Sequence, residues 1–239
     1  MRIHIIQQES FVAPGAYAEW AKEHGYIIEY TQCWLGEKVP TDADGFDMLI
    51  VLGGPQSPAT TKEECPYYDS EAEQALIKKA IESGKIVVGA CLGAQLIGEA
   101  LGAPYEHSPN REIGVIDIEL TQAGKNDPFL GKLPEKMDCG VWHGDMPGLT
   151  ADSEVLASSE GCPRQIVRYG KYVYGIQCHP EFNHRTLPFM IIESPGALKD
   201  AATMPYINTA EEIMEHSYVE MNERLKVFLD ALTEDWEAA

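Results

Sequence analysis

The chain has 239 residues, 44% of them hydrophobic and 23% charged, a composition typical of a globular protein with one large or two small domains. Its 18 basic and 38 acidic residues give a formal charge of −20, which disfavours nucleic acid or an anionic membrane as a partner. The six cysteines include no C-x-x-C pair or zinc-type spacing, so we expect reduced thiols in a cytoplasmic protein.

Neither of the chain's apolar stretches is typical of a targeting or membrane segment. The amino-terminal MRIHIIQQES has too short an apolar run for a signal peptide and favours a first strand. The long apolar stretch at 86–103 is interrupted by Gln95 and Glu99, so we expect no membrane span there.

The first hundred residues alternate short apolar runs with segments of helical periodicity. Strands are predicted at 2–7, 26–30, 47–52 and 86–88, and helices at 16–24, at 69–82 and after Cys91. This alternation predicts an α/β protein with an open, mostly parallel sheet and helices on both faces. From Gly114 to Gly175 the pattern changes to short β runs, expected to be antiparallel additions and the last central strands: VIDIEL, DCGVW, SEVLAS, QIVRY and KYVYGI.

The carboxy-terminal part has a different residue pattern. Residues 183–209 contain several prolines and are predicted to be irregular, whereas 211–232 has apolar positions that suit one amphipathic helix. Because the chain shows no repeats, low-complexity segments or obvious linkers, we expect a single domain over residues 1–239, with an extension from about residue 184.

The motif Gly-Ala-Cys-Leu-Gly lies where the predicted fourth strand passes into a helix. A free cysteine is usually a small buried hydrophobe, but glycines two residues to each side of Cys91 are typical of a nucleophile elbow. The amino terminus of the following helix favours a thiolate. Glycine-rich turns of this kind also bind phosphate or only pack closely, so this motif alone leaves all three interpretations open.

Two further strand ends are predicted at the same edge of the sheet, where open parallel sheets place their chemistry. In the run Cys-His-Pro-Glu, His179 could act as a base and Glu181 could orient its ring. Gly53 and Gly54 end the third strand, where a backbone N–H could face an oxyanion beside the N–H of Leu92. The three strand ends together favour a catalytic cysteine more than any one motif does.

The motifs GGPQS, GACLGAQ and QCHPE, in this order and spacing, resemble the class I (triad) glutamine amidotransferases, in particular the glutaminase domain of GMP synthetase and its stand-alone relatives. The resemblance covers roughly residues 45–183 and includes WHGD at 142–145, which is similar to a segment of the family's glutamine pocket. It implies a flavodoxin-like fold with short antiparallel additions. The first 40 residues fit only as generic strand and helix, and the chain beyond about residue 184 matches poorly.

Carried over position by position, the resemblance implies a role for each matching residue. The implied triad consists of Cys91 as nucleophile, His179 as general base and acid, and Glu181 as the group that orients His179. The implied substrate contacts are the backbone N–H groups of Gly54 and Leu92 at the oxyanion, the side chain of Gln95, and the backbone of His143 and Gly144 at the amino-acid end of glutamine. The implied reaction releases ammonia through a γ-glutamyl thioester, without a metal or cofactor.

The ammonia acceptor stays open, because the sequence contains no G-x-x-x-x-G-K-[ST] motif for ATP. Our first hypothesis is an amidotransferase that acts on glutamine or another γ-glutamyl compound and works with a separate synthetase subunit. The alternatives are a free-standing γ-glutamyl hydrolase or peptidase with the same triad, and a non-hydrolytic flavodoxin-like module that binds partners or senses oxidants through Cys91. His179 and Glu181 count against the module, since redox sensing needs no such pair.

Four more expectations concern the surroundings of these motifs. Cys91 is expected at a surface-exposed elbow, Asp145 in a turn, and Cys178 in the interior. Residues 184–209 include the apolar run FMII and are predicted to cover one side of the pocket, or else only to seal the edge of the sheet.

Overall fold

In the computed structural model, which describes residues 1–201 and 203–239, nine strands alternate with helices along the chain. The strands are β1 (Arg2–Gln7), β2 (Ile27–Gln32), β3 (Met48–Val51), β4 (Ile86–Ala90), β5 (Glu106–Leu120), β6 (Lys136–Met146), β7 (Glu154–Ser159), β8 (Ile166–Gly170) and β9 (Val173–Ile176). The α-helices are α1 (Ala16–Glu23), α2 (Ser70–Glu82), α3 (Leu92–Ala100), α4 (Gln122–Asn126), α5 (Leu187–Glu193), α6 (Ala210–Glu215) and α7 (Val219–Glu237).

The strands form one sheet in the order β2-β1-β3-β4-β9-β8-β7-β5-β6. Neighbours from β2 through β9 pair in parallel, whereas the pairs from β9 to β6 are antiparallel. The predicted fold class is confirmed, but the antiparallel additions are not all short, because β5 has 15 residues and β6 has 11. The first part of β5 is the polar segment EHSPNR, which carries no apolar alternation that would mark a strand.

Helices cover both faces of the parallel part of the sheet. Every residue of β4 is buried, as expected of a strand with helices on each side. On one face the core includes Trp20 of α1 and Phe228 of α7, and on the other it includes Ile77 of α2 and Leu96 of α3. The predicted elements of the first hundred residues are confirmed to within a few residues at their ends.

The carboxy-terminal segment is more ordered than the sequence predicts. The prolines of 183–209 do not exclude a helix, because Pro188 lies in the first turn of α5, where its missing N–H costs no hydrogen bond. The prediction of one helix over 211–232 is wrong, since α6 ends before His216 and α7 begins at Val219. Between them Tyr218 is buried, and its hydroxyl donates to the carbonyl of Ile213 at 2.7 Å, which satisfies a group at the end of α6. That residues 1–239 form a single domain stays a prediction, which limited proteolysis would test.

Two expectations about the environment of the chain can be compared with the structure. All six cysteines are free thiols, and Cys178 is buried as predicted. Within residues 1–201 and 203–239, no helix combines the length and the apolar character needed to cross a membrane.

Candidate active site

Cys91 occupies the sharp turn between β4 and α3. Its φ of 51° and ψ of −107° are unusual for a residue with a side chain, and no other non-glycine residue of the described chain has a positive φ. The flanking glycines are needed for close packing. A Cβ at Gly89 would collide with the backbone of Gly93, and a Cβ at Gly93 would collide with the carbonyl oxygen of Val51. The elbow that the sequence predicts is therefore present.

The expectation of a surface-exposed Cys91 is wrong, because the residue is only 7% exposed. Trp142 of β6 lies against the elbow, and the thiol is 3.8 Å from the carbonyl oxygen of that residue. Cys91 lines the two clefts described below. Local sequence gives no sign of this cover, since Trp142 is far from Cys91 along the chain.

His179 lies beside Cys91 because β9 is the parallel neighbour of β4, and both residues follow the ends of their strands. Gly53 lies against both side chains. A Cβ atom added to Gly53 would lie 3.2 Å from Cβ of Cys91 and 3.3 Å from Cε1 of His179. The His179 ring stacks on Phe182 at 4.3 Å between centroids, and its Nδ1 is 2.7 Å from Oε1 of Glu181. Nε2 of His179 is buried and has no hydrogen-bond partner among the described residues. The structure thus brings together all three members of the predicted triad.

The electrostatic environment of His179 favours its imidazolium form. Burial lowers the pKa of the ring, but the negative charge of Glu181, the nearby Cys91 side chain and the hydrogen bond to Glu181 outweigh it and raise the pKa to about 10. The imidazolium lies beside the cysteine that directly precedes α3.

The turn that carries His179 and Glu181 is held by the two ends of the chain. The N–H of Ala16, in the first turn of α1, donates to the carbonyl of Glu181 at 3.0 Å. Asn222 of α7 donates through Nδ2 to the carbonyls of Pro180 and Phe182, at 2.8 and 2.9 Å. Sequence reasoning missed Asn222, because an asparagine on an amphipathic helix carries no local signal of its distant partners.

A polar cleft of about 600 Å³ opens on one side of Cys91. Every substrate residue that the resemblance implies lines it: Gly54, Leu92, Gln95, His143 and Gly144. Leu92 is the first residue of α3, so its N–H is among those that no carbonyl within the helix satisfies. Gln95 is buried and donates to Oε1 of Gln177 at 3.1 Å.

The His143 imidazole is turned away from this cleft. Its Nε2 lies 3.1 Å from Oε2 of Glu112, and both side chains are fully buried. Glu112 also accepts hydrogen bonds from Ser159 at 2.6 Å and from Gln165 at 2.5 Å. With Cys162, His143 and Glu112 form the one group of potential metal ligands found among the described residues, but hydrogen bonds within the protein already engage both carboxylate oxygens. The imidazole of His143 is thus engaged by Glu112, and the contact of its backbone with glutamine stays a prediction.

Two charged residues line the polar cleft: Arg111, which sequence reasoning missed, and Asp145, which it expected in a turn. Asp145 belongs to β6, which continues through the polar segment HGDM, so that expectation is wrong. Its Oδ1 is 2.6 Å from Nδ1 of the exposed His107. Arg111 lies against Gly144 and reaches Asp200 at 3.7 Å.

A second cleft, of about 70 Å³, also borders Cys91 and is called the apolar cleft here. Its walls are mostly hydrophobic side chains, and His179 lines it together with Phe11, Val12, Trp142 and Met190. Met190 belongs to α5, so the predicted cover from residues 184–209 does lie over this side of the cysteine. Whether the segment moves as a lid stays a prediction.

Comparisons with known proteins agree with this geometry. Residues 24–194 match the family described as Glutamine amidotransferase class-I, and the chain belongs to that family. It is 51% identical over 233 residues to the putative glutamine amidotransferase-like protein YfeJ of Salmonella typhimurium, with 98% of each chain covered. It is 30% identical to a GMP synthase of Thermomicrobium roseum over 79% of this chain, which spans only 34% of that synthase. The crystal structure of a glutamine amidotransferase from Thermotoga maritima shares the fold, with a TM-score of 0.84, 23% identity and 98% of each chain covered.

Proposed function

We propose that this chain is a glutamine amidotransferase-type hydrolase in which Cys91, His179 and Glu181 release ammonia from the side-chain amide of glutamine. The observation that carries the proposal is the position of Cys91 at a strained elbow, with its side chain against the imidazole of His179 and with Glu181 bonded to the far nitrogen of that ring. This is the geometry that an activated nucleophile, its base and an orienting carboxylate require.

In the first half of the proposed reaction, the Cys91 thiolate attacks the amide carbon. The negative charge that develops on the amide oxygen faces the N–H groups of Gly54 and Leu92, both of which line the polar cleft. The C–N bond then breaks, and the leaving nitrogen takes a proton from His179. The product of this half-reaction is a γ-glutamyl thioester on Cys91.

In the second half, His179 accepts a proton from water, whose oxygen attacks the thioester carbon. The C–S bond breaks, glutamate leaves, and the imidazolium–thiolate pair is restored. The raised pKa of His179 supports this cycle, because the ring starts as the acid that the leaving nitrogen needs.

The amino-acid end of glutamine is proposed to bind at the two charges of the polar cleft. An α-carboxylate is complementary to Arg111 and an α-ammonium to Asp145, while the backbone of His143 and Gly144 lies between them. In a chain of formal charge −20, Arg111 offers the cation that a substrate carboxylate needs.

The proposed partner is a separate synthetase that uses the ammonia. Similarity to about a third of the length of a GMP synthase described as glutamine-hydrolyzing supports this proposal. We place the reaction in the cytoplasm, where six free thiols stay reduced. Co-purification with a nucleotide-dependent synthetase from the source cells would support the partner.

The experiment that tests the chemistry is an assay of the purified chain for glutamate and ammonia released from L-glutamine. We expect turnover that Cys91→Ala abolishes, with the variant still folded by circular dichroism. Arg111→Gln is expected to raise KM about 10- to 100-fold, the size of a charge-assisted hydrogen bond. Arg185→Gln is the matched control, because that side chain is 87% exposed and lies outside the cleft. Turnover that persists in Cys91→Ala would contradict the proposal.

A further inference from the structure

We propose that the apolar cleft is a leaving-group subsite, and that the substrate class of this protein includes N-substituted γ-glutamyl amides whose amine carries an apolar group. This inference rests on the proposed triad chemistry and specifies what leaves from the acyl group. It follows from the arrangement of the two clefts about Cys91.

The two clefts meet at the nucleophile and differ in their remaining walls. Gly54, Pro55, Cys91 and Trp142 line both of them, so a substrate bound across Cys91 extends into each. The charged and amide groups that suit an amino acid line the polar cleft. The apolar cleft is left for whatever is attached to the amide nitrogen.

The position of His179 decides which side the amine occupies. The general acid must lie beside the departing nitrogen, because it gives that nitrogen its proton. His179 lines the apolar cleft. The bond that breaks therefore points from Cys91 into this cleft, toward Phe11, Val12 and Met190.

The size and chemistry of the cleft exceed what ammonia needs. A cavity that holds one molecule the size of water or ammonia needs roughly 10–15 Å³ on the measure by which the apolar cleft offers about 70 Å³. Val12 and Met190 are each only 5% exposed, and they offer dispersion contacts and water exclusion rather than hydrogen bonds. Such walls bind an alkyl or aryl substituent and contribute nothing to the binding of free ammonia.

The reaction with such a substrate differs from glutamine hydrolysis only in its leaving group. The thiolate forms the C–S bond, the C–N bond breaks, and His179 protonates the nitrogen, which leaves as a primary amine. Water then hydrolyses the same γ-glutamyl thioester, so the sum is an amide and water giving glutamate and an amine. Because the thioester is common to all substrates, any preference among them appears in the acylation step, which kcat/KM reports.

The test compares kcat/KM for L-glutamine with that for its N-methyl, N-butyl and N-benzyl amides, followed by glutamate release. We expect kcat/KM to rise along the series and to be at least tenfold higher for the benzyl amide than for glutamine. Higher kcat/KM for glutamine than for every amide would overturn the inference and leave the proposed function standing. No turnover of any substrate, glutamine included, would instead refute the proposed function.

Two variants test whether the apolar cleft is the cause of the expected preference for the benzyl amide. Met190→Ala removes one wall and Ser194→Trp fills the half-exposed edge, so each should lower the benzyl-to-glutamine ratio of kcat/KM at least fivefold. Ile192→Ala is the matched control, because Ile192 is on the same helix but is 68% exposed and should leave the ratio unchanged. If Met190→Ala does not fold, the ratio measured for Ser194→Trp is the test. A benzyl preference that neither folded variant lowers would refute this placement.

Discussion

Asn222 should support both the stability and the activity of the protein, although it lies on α7 and lines neither cleft. Its two hydrogen bonds, to the carbonyls of Pro180 and Phe182, connect α7 to the turn that carries His179. Asn222→Ala leaves both carbonyls without this donor in a buried place, which costs about 1–3 kcal/mol for each group. Alanine is the better helix former by about 0.5 kcal/mol, so we expect a net loss of roughly 1.5–5.5 kcal/mol of unfolding free energy.

The effect on activity is expected to exceed the effect of instability alone. A turn that is free to shift displaces the His179 ring relative to Cys91, and a misplacement of about 1 Å can cost on the order of 100-fold in rate. We therefore expect kcat for glutamine to fall 10- to 100-fold under conditions where the variant is fully folded. Urea unfolding followed by circular dichroism measures the first quantity, and steady-state glutamate release measures the second.

Thr233→Val is the matched control for this prediction. Thr233 is also buried on α7, but its hydroxyl donates within the helix, to the carbonyls of Leu229 at 2.9 Å and Asp230 at 3.2 Å, and not to the His179 turn. We expect it to lose about 1 kcal/mol of stability and to keep the wild-type kcat. If folded Asn222→Ala also keeps the wild-type kcat, α7 does not position the His179 turn and this reasoning is refuted.

Three other perturbations test separate parts of the site. The pKa of His179 is raised to about 10, so the stability that its charge contributes is present below the ordinary value of about 6.5 and is lost as the pH rises through 10. Glu181→Gln should lower that pKa and make the fall in unfolding free energy between pH 7 and 10 shallower than in the wild type; an unchanged slope would contradict the pairing. Gly93→Ala should destabilise the protein by about 1–3 kcal/mol in chemical denaturation, because its Cβ collides with a backbone carbonyl, whereas Gly45→Ala, with open space around the new methyl group, should change stability by less than about 0.5 kcal/mol. A glutamine-mimicking diazoketone should label Cys91 and spare the other five thiols in peptide mass mapping, and equal labelling of several cysteines would make Cys91 an ordinary thiol.

The parts of the site that sequence predicted are those encoded within a few neighbouring residues. The glycines around Cys91 determine the elbow locally, and the short His-Pro-Glu segment places His179 two residues from Glu181. The alternation of strands and helices then brings these strand ends to one edge of the sheet. Local sequence pattern and parallel topology were therefore sufficient to predict the elbow and its position beside the His179 turn.

The parts that sequence did not predict depend on contacts between distant segments. The burial of Cys91 comes from Trp142 of another strand, and the wall of the apolar cleft comes from Met190 of a helix hidden in a proline-containing segment. The charge of Arg111 lies in a polar stretch of β5 that has no strand pattern. Such contacts leave no periodicity in the chain, so only the folded structure identifies them.

The attachment of the His179 turn to both ends of the chain has a consequence for protein synthesis. Ala16 precedes most of the sheet in chain order, but Asn222 follows all nine described strands, so the turn lacks one of its supports until α7 has been made. A nascent chain can therefore build the parallel sheet and its elbow before His179 is held in place. Under the proposed function, unfinished polypeptides would not hydrolyse glutamine, and a fragment trimmed to residues 24–194, the span of the family match, would lack both the Ala16 and the Asn222 contact.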